Sequence, residues 1–249
     1  MNATLVVFGL SIPVFSLSLV AAALIGVGVT ARLTGWRAGV LVDLALAAGA
    51  GALIGGRAEH VALHWSAWFS AHPEEIARVA LGGLGWHGAV VGGLIGLFAA
   101  ARFVRLPVST GGTALLDPFA PALALLALGG WIGCAAAPCA WGKEVTTLAD
   151  YPAWAVGWTR DVYNLYAPRY NTQLFGAALA VLLIAAVWLP RRAVAGRFWL
   201  TLALLSAGMF FIGFWRADPV PVVFGLRADQ VADAVMGGVS LAFYRLARR

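Results

Sequence analysis

Long apolar runs alternate with short polar connections along almost the whole chain. Runs at about 6–30, 39–62, 86–103, 114–134, 174–189, 198–215 and 230–246 are each long enough, or nearly so, to cross the roughly 30 Å hydrocarbon core of a bilayer. Most exceed 15 residues and do not show the ten-residue alternation of barrel strands. Every backbone N–H and C=O within hydrocarbon needs an internal partner, so runs of this length predict helices rather than a β-barrel. The predicted fold is all-α, a polytopic membrane bundle of about seven transmembrane helices. The first run lacks the basic start and clear cleavage site of a secretory signal, and is expected to be a retained helix.

Charge sets the expected orientation. Arg32, Arg37, Arg102, Arg105, Arg191, Arg192, Arg197, Arg245, Arg248 and Arg249 all fall on one side of a seven-span arrangement, which the positive-inside rule places in the cytoplasm. The N-terminus is then outside and the C-terminus cytoplasmic. The opposite connections carry the remaining basic residues together with Glu59, Glu74, Glu75, Glu144, Asp150, Asp161 and Asp218. Three outer segments follow: an amphipathic piece near 65–80, a long connection at about 140–172, and a Pro-punctuated loop from Arg216 to Arg227. With no repeat of 20–50 residues and no low-complexity linker, residues 1–249 are expected to form a single integral membrane domain.

Composition agrees with this pattern. Of 249 residues, 61% are hydrophobic and only 11% charged, too few to cover a soluble domain of this size, so lipid is the expected surround. The net charge of +6 does not imply nucleic acid, because the Arg residues are scattered at the ends of apolar runs instead of lining a phosphate groove. Two cysteines cannot supply a disulfide framework, which leaves helix packing to hold the bundle.

The third run opens with the string GGLGWHGAVVGGLIG, in which Gly88, Gly92 and Gly96 share one helix face. Such a face predicts close approach of another helix. His87 lies where this helix meets the outer interface; it fits either a hydrogen-bonded interfacial side chain or a base able to take a proton from a thiol. Arg57, in GGRAEH, and Arg216, in FWRADP, also fit two readings. Each guanidinium could hold a lipid phosphate through two bonds, or pair locally, Arg57 with Glu59 and Arg216 with Asp218. Asp117 at the start of the fourth run is expected to cap a helix or meet an Arg. Cys134 and Cys139, with Pro138 between them, predict a packing pair or an outer-face disulfide, not a metal site. The Trp and Tyr residues of 151–170 predict an interfacial aromatic belt or a surface for an apolar substrate segment. Neither HExxH nor a nucleotide-binding glycine loop is present, and no metal or cofactor is expected.

Several of these strings, in order along nearly the whole chain, resemble the prolipoprotein diacylglyceryl transferase family. They are GGRAEHV, GGLGWHGAVVGG, LLDPFAPALAL, GWIGCAAAPCAWGKE, YPAWAV, APRYNTQLFGA and FFIGFWRADP. The resemblance implies a multi-pass enzyme of the bacterial cytoplasmic (inner) membrane. Such an enzyme moves a diacylglyceryl group from phosphatidylglycerol to the lipobox cysteine of a prolipoprotein, whose signal-peptide region is its partner along with membrane lipid. By position, His87 matches the family's signature histidine and Arg216 its arginine after the sixth span. Arg57, Asp117, Gly142 and Gln173 match further family positions, and Lys143 stands where a basic residue is expected. The resemblance thus implies His87 and Arg216 as catalytic residues and Arg57, Gly142, Lys143 and Gln173 as substrate-binding ones. Ser16 replaces a family tyrosine, Trp131 replaces a family arginine, and Cys134 replaces the signature asparagine. These departures support a rival reading: a non-catalytic or repurposed paralogue that binds or presents a lipid or peptide in the same membrane cavity.

Overall fold

A computed structural model describes residues 3–7, 9–79, 82–104, 115–137, 139–188 and 195–249. Arg105, Pro138, Arg191 and Arg192, and the ends of the fourth and fifth apolar runs at 114 and 189, lie outside the described residues. The chain is mostly helical. Its long helices coincide with the apolar runs: α1 (Val14–Thr34), α2 (Ala38–Leu63), α3 (Trp86–Ala101), α4 (Ala120–Ala136), α5 (Thr172–Trp188), α6 (Arg197–Ile212) and α7 (Ala228–Ala247). Among the described residues, four helical stretches are long and apolar enough to cross a membrane: α1, α2, Asp117–Ala136 and Arg197–Trp215. α3 and α5 are apolar but shorter.

Among the described residues, three short antiparallel hairpins interrupt the all-α expectation. β1 (Thr4–Val7) pairs with β2 (Leu10–Pro13), β3 (Val156–Arg160) with β4 (Tyr166–Tyr170), and β5 (Val222–Val223) with β6 (Leu226–Arg227). The first apolar run therefore begins as a hairpin and turns helical only at Val14. Gly9, at φ +80°, supplies a turn conformation that a side chain would oppose. Pro13 has a fixed φ and no N–H to donate, which suits the entry to a helix and not its interior. Hydropathy alone does not separate such a hairpin from the helix it leads into.

The chain divides into two compact units, residues 31–111 with 220–232, and residues 1–30 with 112–219 and 233–249. In the first, α2 and α3 meet backbone to backbone. A Cβ at Gly92 would fall on the carbonyl of Gly51, one at Gly55 on the carbonyl of Gly88, and one at Gly96 on the carbonyl of Ala47. The glycine face of α3 thus has α2 as its partner. Small residues on both helices are what allow this approach. Gly92→Ala is expected to force the helices apart and reduce the yield of folded protein, whereas Gly93→Ala, whose Cβ would sit at 3.5 Å from the nearest atom, should be tolerated. Monodisperse protein recovered after detergent extraction measures the difference.

In the second unit, α1 lies against α4: a Cβ at Gly26 would press on Ala122, and one at Gly129 on Ala22 and the Ser18 carbonyl. Trp199 of α6 stacks on Phe243 of α7 with ring centroids 4.6 Å apart. Asp117 is a cap, as its chemistry predicts, but for a distant helix. Its carboxylate accepts from the N–H groups of Gly196 and Phe198 at 2.9 and 3.0 Å, at the start of α6. A carboxylate there satisfies orphan amides and complements the helix dipole.

Candidate functional site

His87 is the second residue of α3, in its first turn, one residue after Trp86 and two after the N-cap Gly85. Its Nδ1 lies 2.9 Å from Glu59 Oε1, while the N–H of Gly88 donates to Glu59 Oε2 at 2.7 Å. A carboxylate only accepts, so Nδ1 is the donor, and the neutral ring then carries its lone pair on Nε2. Glu59 reaches this place because Gly55 and Gly88 let the two backbones touch one turn away. The dyad therefore depends on the glycine interface. His87 is only 6% exposed, so it is more enclosed than an interfacial histidine facing water.

Arg57 does not pair with Glu59, which is turned to His87. Its guanidinium donates instead to four backbone carbonyls: Nε to Ile76 at 2.8 Å, Nη1 to Gly82 and Gly83 at 2.7 and 3.2 Å, and Nη2 to Glu75 at 2.6 Å. It also lies over the Phe69 ring, 5.2 Å from its centroid. Four of its five N–H groups are thus engaged in holding Glu75, Ile76, Gly82 and Gly83 against α2. On the other side Arg57 borders an apolar groove of about 900 Å³ lined by Leu53, Ile54, Val61, Trp65 and Ile76.

The remaining site residues lie in the other unit. The N–H of Lys143 donates to Trp215 O at 2.7 Å and that of Ala217 to Trp141 O at 2.9 Å, which sets Gly142 opposite Arg216. On its other edge the same segment pairs with β4, through Tyr170 N–H to Lys143 O and Val145 N–H to Pro168 O. Gly142 is obligatory here, because a Cβ would collide with the Tyr170 carbonyl. Arg216 is gripped by Asp218, Nε to Oδ1 at 2.8 Å and Nη2 to Oδ2 at 2.5 Å. The local pair expected as one of its two readings therefore forms. Lys143 is exposed. Gln173 donates to Cys139 O at 3.0 Å and Thr172 to Ala140 O at 2.5 Å, so the start of α5 pins the turn that leads into Gly142. Cys134 and Cys139 are joined as a disulfide.

The backbone thus gathers Gly142, Lys143 and Arg216 into one small sheet, with Gln173 anchoring its approach, while His87 and Arg57 belong to the α2–α3 unit. The ordered motifs that carry the resemblance are matched at the scale of the chain. Residues 3–245 match the family described as prolipoprotein diacylglyceryl transferase. The chain belongs to that family. A phosphatidylglycerol–prolipoprotein diacylglyceryl transferase of Nocardia farcinica is 32% identical over 232 residues, covering 86% of this chain and 46% of the relative. One from Streptomyces coelicolor is 30% identical over 209 residues, 79% of this chain and 57% of the relative. One from Corynebacterium efficiens is 26% identical over 244 residues, 91% and 75% of the two chains. The chain spans about half the length of the first two relatives it matches.

In this diacylglyceryl transferase family member, one of the replaced positions takes on a packing role. Trp131 is buried, and its indole fills the space a Cβ at Gly176 would enter, so α4 meets α5 through an aromatic plate. Ser16 is exposed on α1. Glu59, the partner of His87, is the candidate site residue that motif reading passed over. Gly51, Gly55 and Glu59 recur every four residues and so share the α2 face that meets α3, a signal present in the spacing. The disulfide closes only a short loop, worth about 2 kcal/mol on a chain-entropy basis. Replacing both cysteines by serine is accordingly expected to leave a folded protein, checked by its elution profile and helical circular dichroism, with a modestly lower melting temperature.

Proposed function

We propose that this chain transfers the diacylglyceryl group of phosphatidylglycerol to the cysteine thiol of a prolipoprotein, at the outer face of a bacterial cytoplasmic membrane. It would do so as a single multi-pass domain of seven spans, with the N-terminus outside and the C-terminus in the cytoplasm. The observation that carries the chemistry is His87 held by Glu59. A histidine fixed by a carboxylate through Nδ1 is oriented to take a proton at Nε2 and to bear the resulting charge. His87 draws the proton from the lipobox thiol, the sulfur bonds to the diacylglyceryl carbon, and the carbon–oxygen bond to the phosphate breaks. Glycerol phosphate leaves with that oxygen, and the proton passes from His87 to solvent.

Arg216 supplies the charge that holds the phosphate as negative charge builds on the leaving oxygen, and a low-dielectric surround strengthens this contact. Lys143, exposed beside it on the same sheet, is a second cation for the same anion. Gly142 and Gln173 set the position of that sheet, and Arg57 holds the carbonyls of Glu75, Ile76, Gly82 and Gly83. Expression in a cell depleted of its own diacylglyceryl transferase tests the reading. Restored growth and lipidated prolipoprotein are expected, and a stably inserted protein that restores neither would favour a binding or presenting role.

A further inference from the structure

The geometry points to the β3–β4 hairpin as a membrane-interface finger, whose apolar tip enters the lipid leaflet at the end of α4 and α5. The inference rests on the reading of those two helices as membrane spans. Between β3 and β4 the chain turns through Asp161–Leu165, and side-chain hydrogen bonds tie this turn together. Asp161 is 5% exposed; its carboxylate accepts from the N–H groups of Tyr163 and Leu165 at 2.8 and 3.0 Å and from Arg169 at 3.1 Å. Asn164 takes a left-handed conformation, φ +62°, to close the loop. The Asp161 carboxylate is thus turned inward, while Val162, Tyr163 and Leu165, with Trp158 and Tyr166 on the strands, are 51 to 72% exposed, and Asn164 between them is exposed as well.

A hairpin that presents two aliphatic side chains, Val162 and Leu165, and three aromatic ones, Trp158, Tyr163 and Tyr166, outside any membrane helix, needs a cover. Its position indicates which. The last strand pair before the turn is Arg160 with Tyr166. These two residues line one cavity of about 360 Å³ together with Cys134 and Ala135 at the end of α4 and Leu174 in the first turn of α5. The tip end of the hairpin therefore lies level with the helix ends and does not project away from them. At that level a bilayer presents its headgroup region, where Trp and Tyr rings are favoured and apolar tips gain by burial. Arg160, which reaches Asn164 Oδ1 at 3.4 Å, places a positive charge at the same level, suited to anionic headgroups.

The chain has two cysteines, both in the disulfide, so a single introduced thiol can be spin-labelled selectively. Tyr163→Cys, or Leu165→Cys should the first variant fold poorly, is labelled and reconstituted in phosphatidylethanolamine–phosphatidylglycerol vesicles. Asp150→Cys serves as the aqueous reference and Leu182→Cys, exposed on α5, as the hydrocarbon reference. Collision with oxygen is expected to exceed collision with a water-soluble nickel complex at position 163, and the reverse at position 150. An aqueous signal at 163 alongside a hydrocarbon signal at 182 overturns the finger while leaving the spans intact. An aqueous signal at 182 overturns the span reading and the finger with it. A signal at 163 that becomes shielded only when an apolar lipobox peptide is added overturns lipid insertion in favour of peptide docking.

Discussion

Replacing His87 by glutamine is expected to lower transfer per folded molecule by roughly 10²–10⁴-fold, the range associated with losing a general base. Glutamine keeps hydrogen-bonding capacity toward Glu59 but has no group that takes a proton near neutral pH. Glu59 acts through His87 and through the α3 N-terminus, so it is a positioning residue. Glu59→Gln keeps an acceptor but can no longer accept from both His87 and Gly88 as a carboxylate does. It should reduce kcat with little change in KM, because the lipid and peptide contacts are untouched. Glu59→Ala should also cost folded yield, since the amide of Gly88 then loses its partner at a buried helix start. Rates measured on detergent-purified protein, normalised to the folded fraction, separate these effects. Unchanged kcat in both His87→Gln and Glu59→Gln would remove the dyad from the mechanism.

Arg216→Lys should lower transfer at least tenfold, equivalent to about 1.4 kcal/mol in the transition state, and Arg216→Ala more. Lysine retains charge but lacks the planar fork that meets two acceptor oxygens at once. Asp218 already occupies that fork through Nε and Nη2. The lipid phosphate must therefore share the guanidinium with Asp218 or displace it. Titration of phosphatidylglycerol against each variant checks this account. The loss should grow as the lipid is diluted if Arg216 holds the phosphate in the bound state, and stay constant if it acts only on the leaving group. Equal activity of Arg216→Lys and the parent would leave Arg216 as a structural partner of Asp218 alone.

Much of the helical layout was legible because a membrane enforces it: an apolar run of sufficient length has few other conformations open to it. The glycine face of α3 was legible for the same kind of reason, since spacing of four places Gly88, Gly92 and Gly96 together. The hairpins were not legible. β1–β2 and β3–β4 contain the same apolar and aromatic residue types as the runs beside them, and only Gly9, Pro13 and the Asp161 turn distinguish them locally. The candidate site was legible residue by residue through motifs, but its partners depended on packing. Glu59 stands two residues from Arg57 and offered itself as a local partner in one of the two readings of Arg57, yet helical geometry turns positions i and i+2 apart. Glu59 then faces α3, and Arg57 faces Glu75, Ile76, Gly82 and Gly83. Similarly, Asp117 caps a helix start 79 residues away, a contact no local pattern encodes.

The central claim is that this family member performs the transfer itself, with Trp131 and Ser16 in place of two functional family positions. Purified protein mixed with phosphatidylglycerol labelled in its glyceryl backbone and a lipobox peptide tests it directly. The account predicts that label appears on the peptide through a thioether resistant to mild base, that one glycerol phosphate is released per peptide modified, and that a peptide with serine for the lipobox cysteine stays unlabelled. Absence of labelled peptide and of released glycerol phosphate, under conditions in which the Nocardia farcinica relative modifies the same peptide, would contradict it.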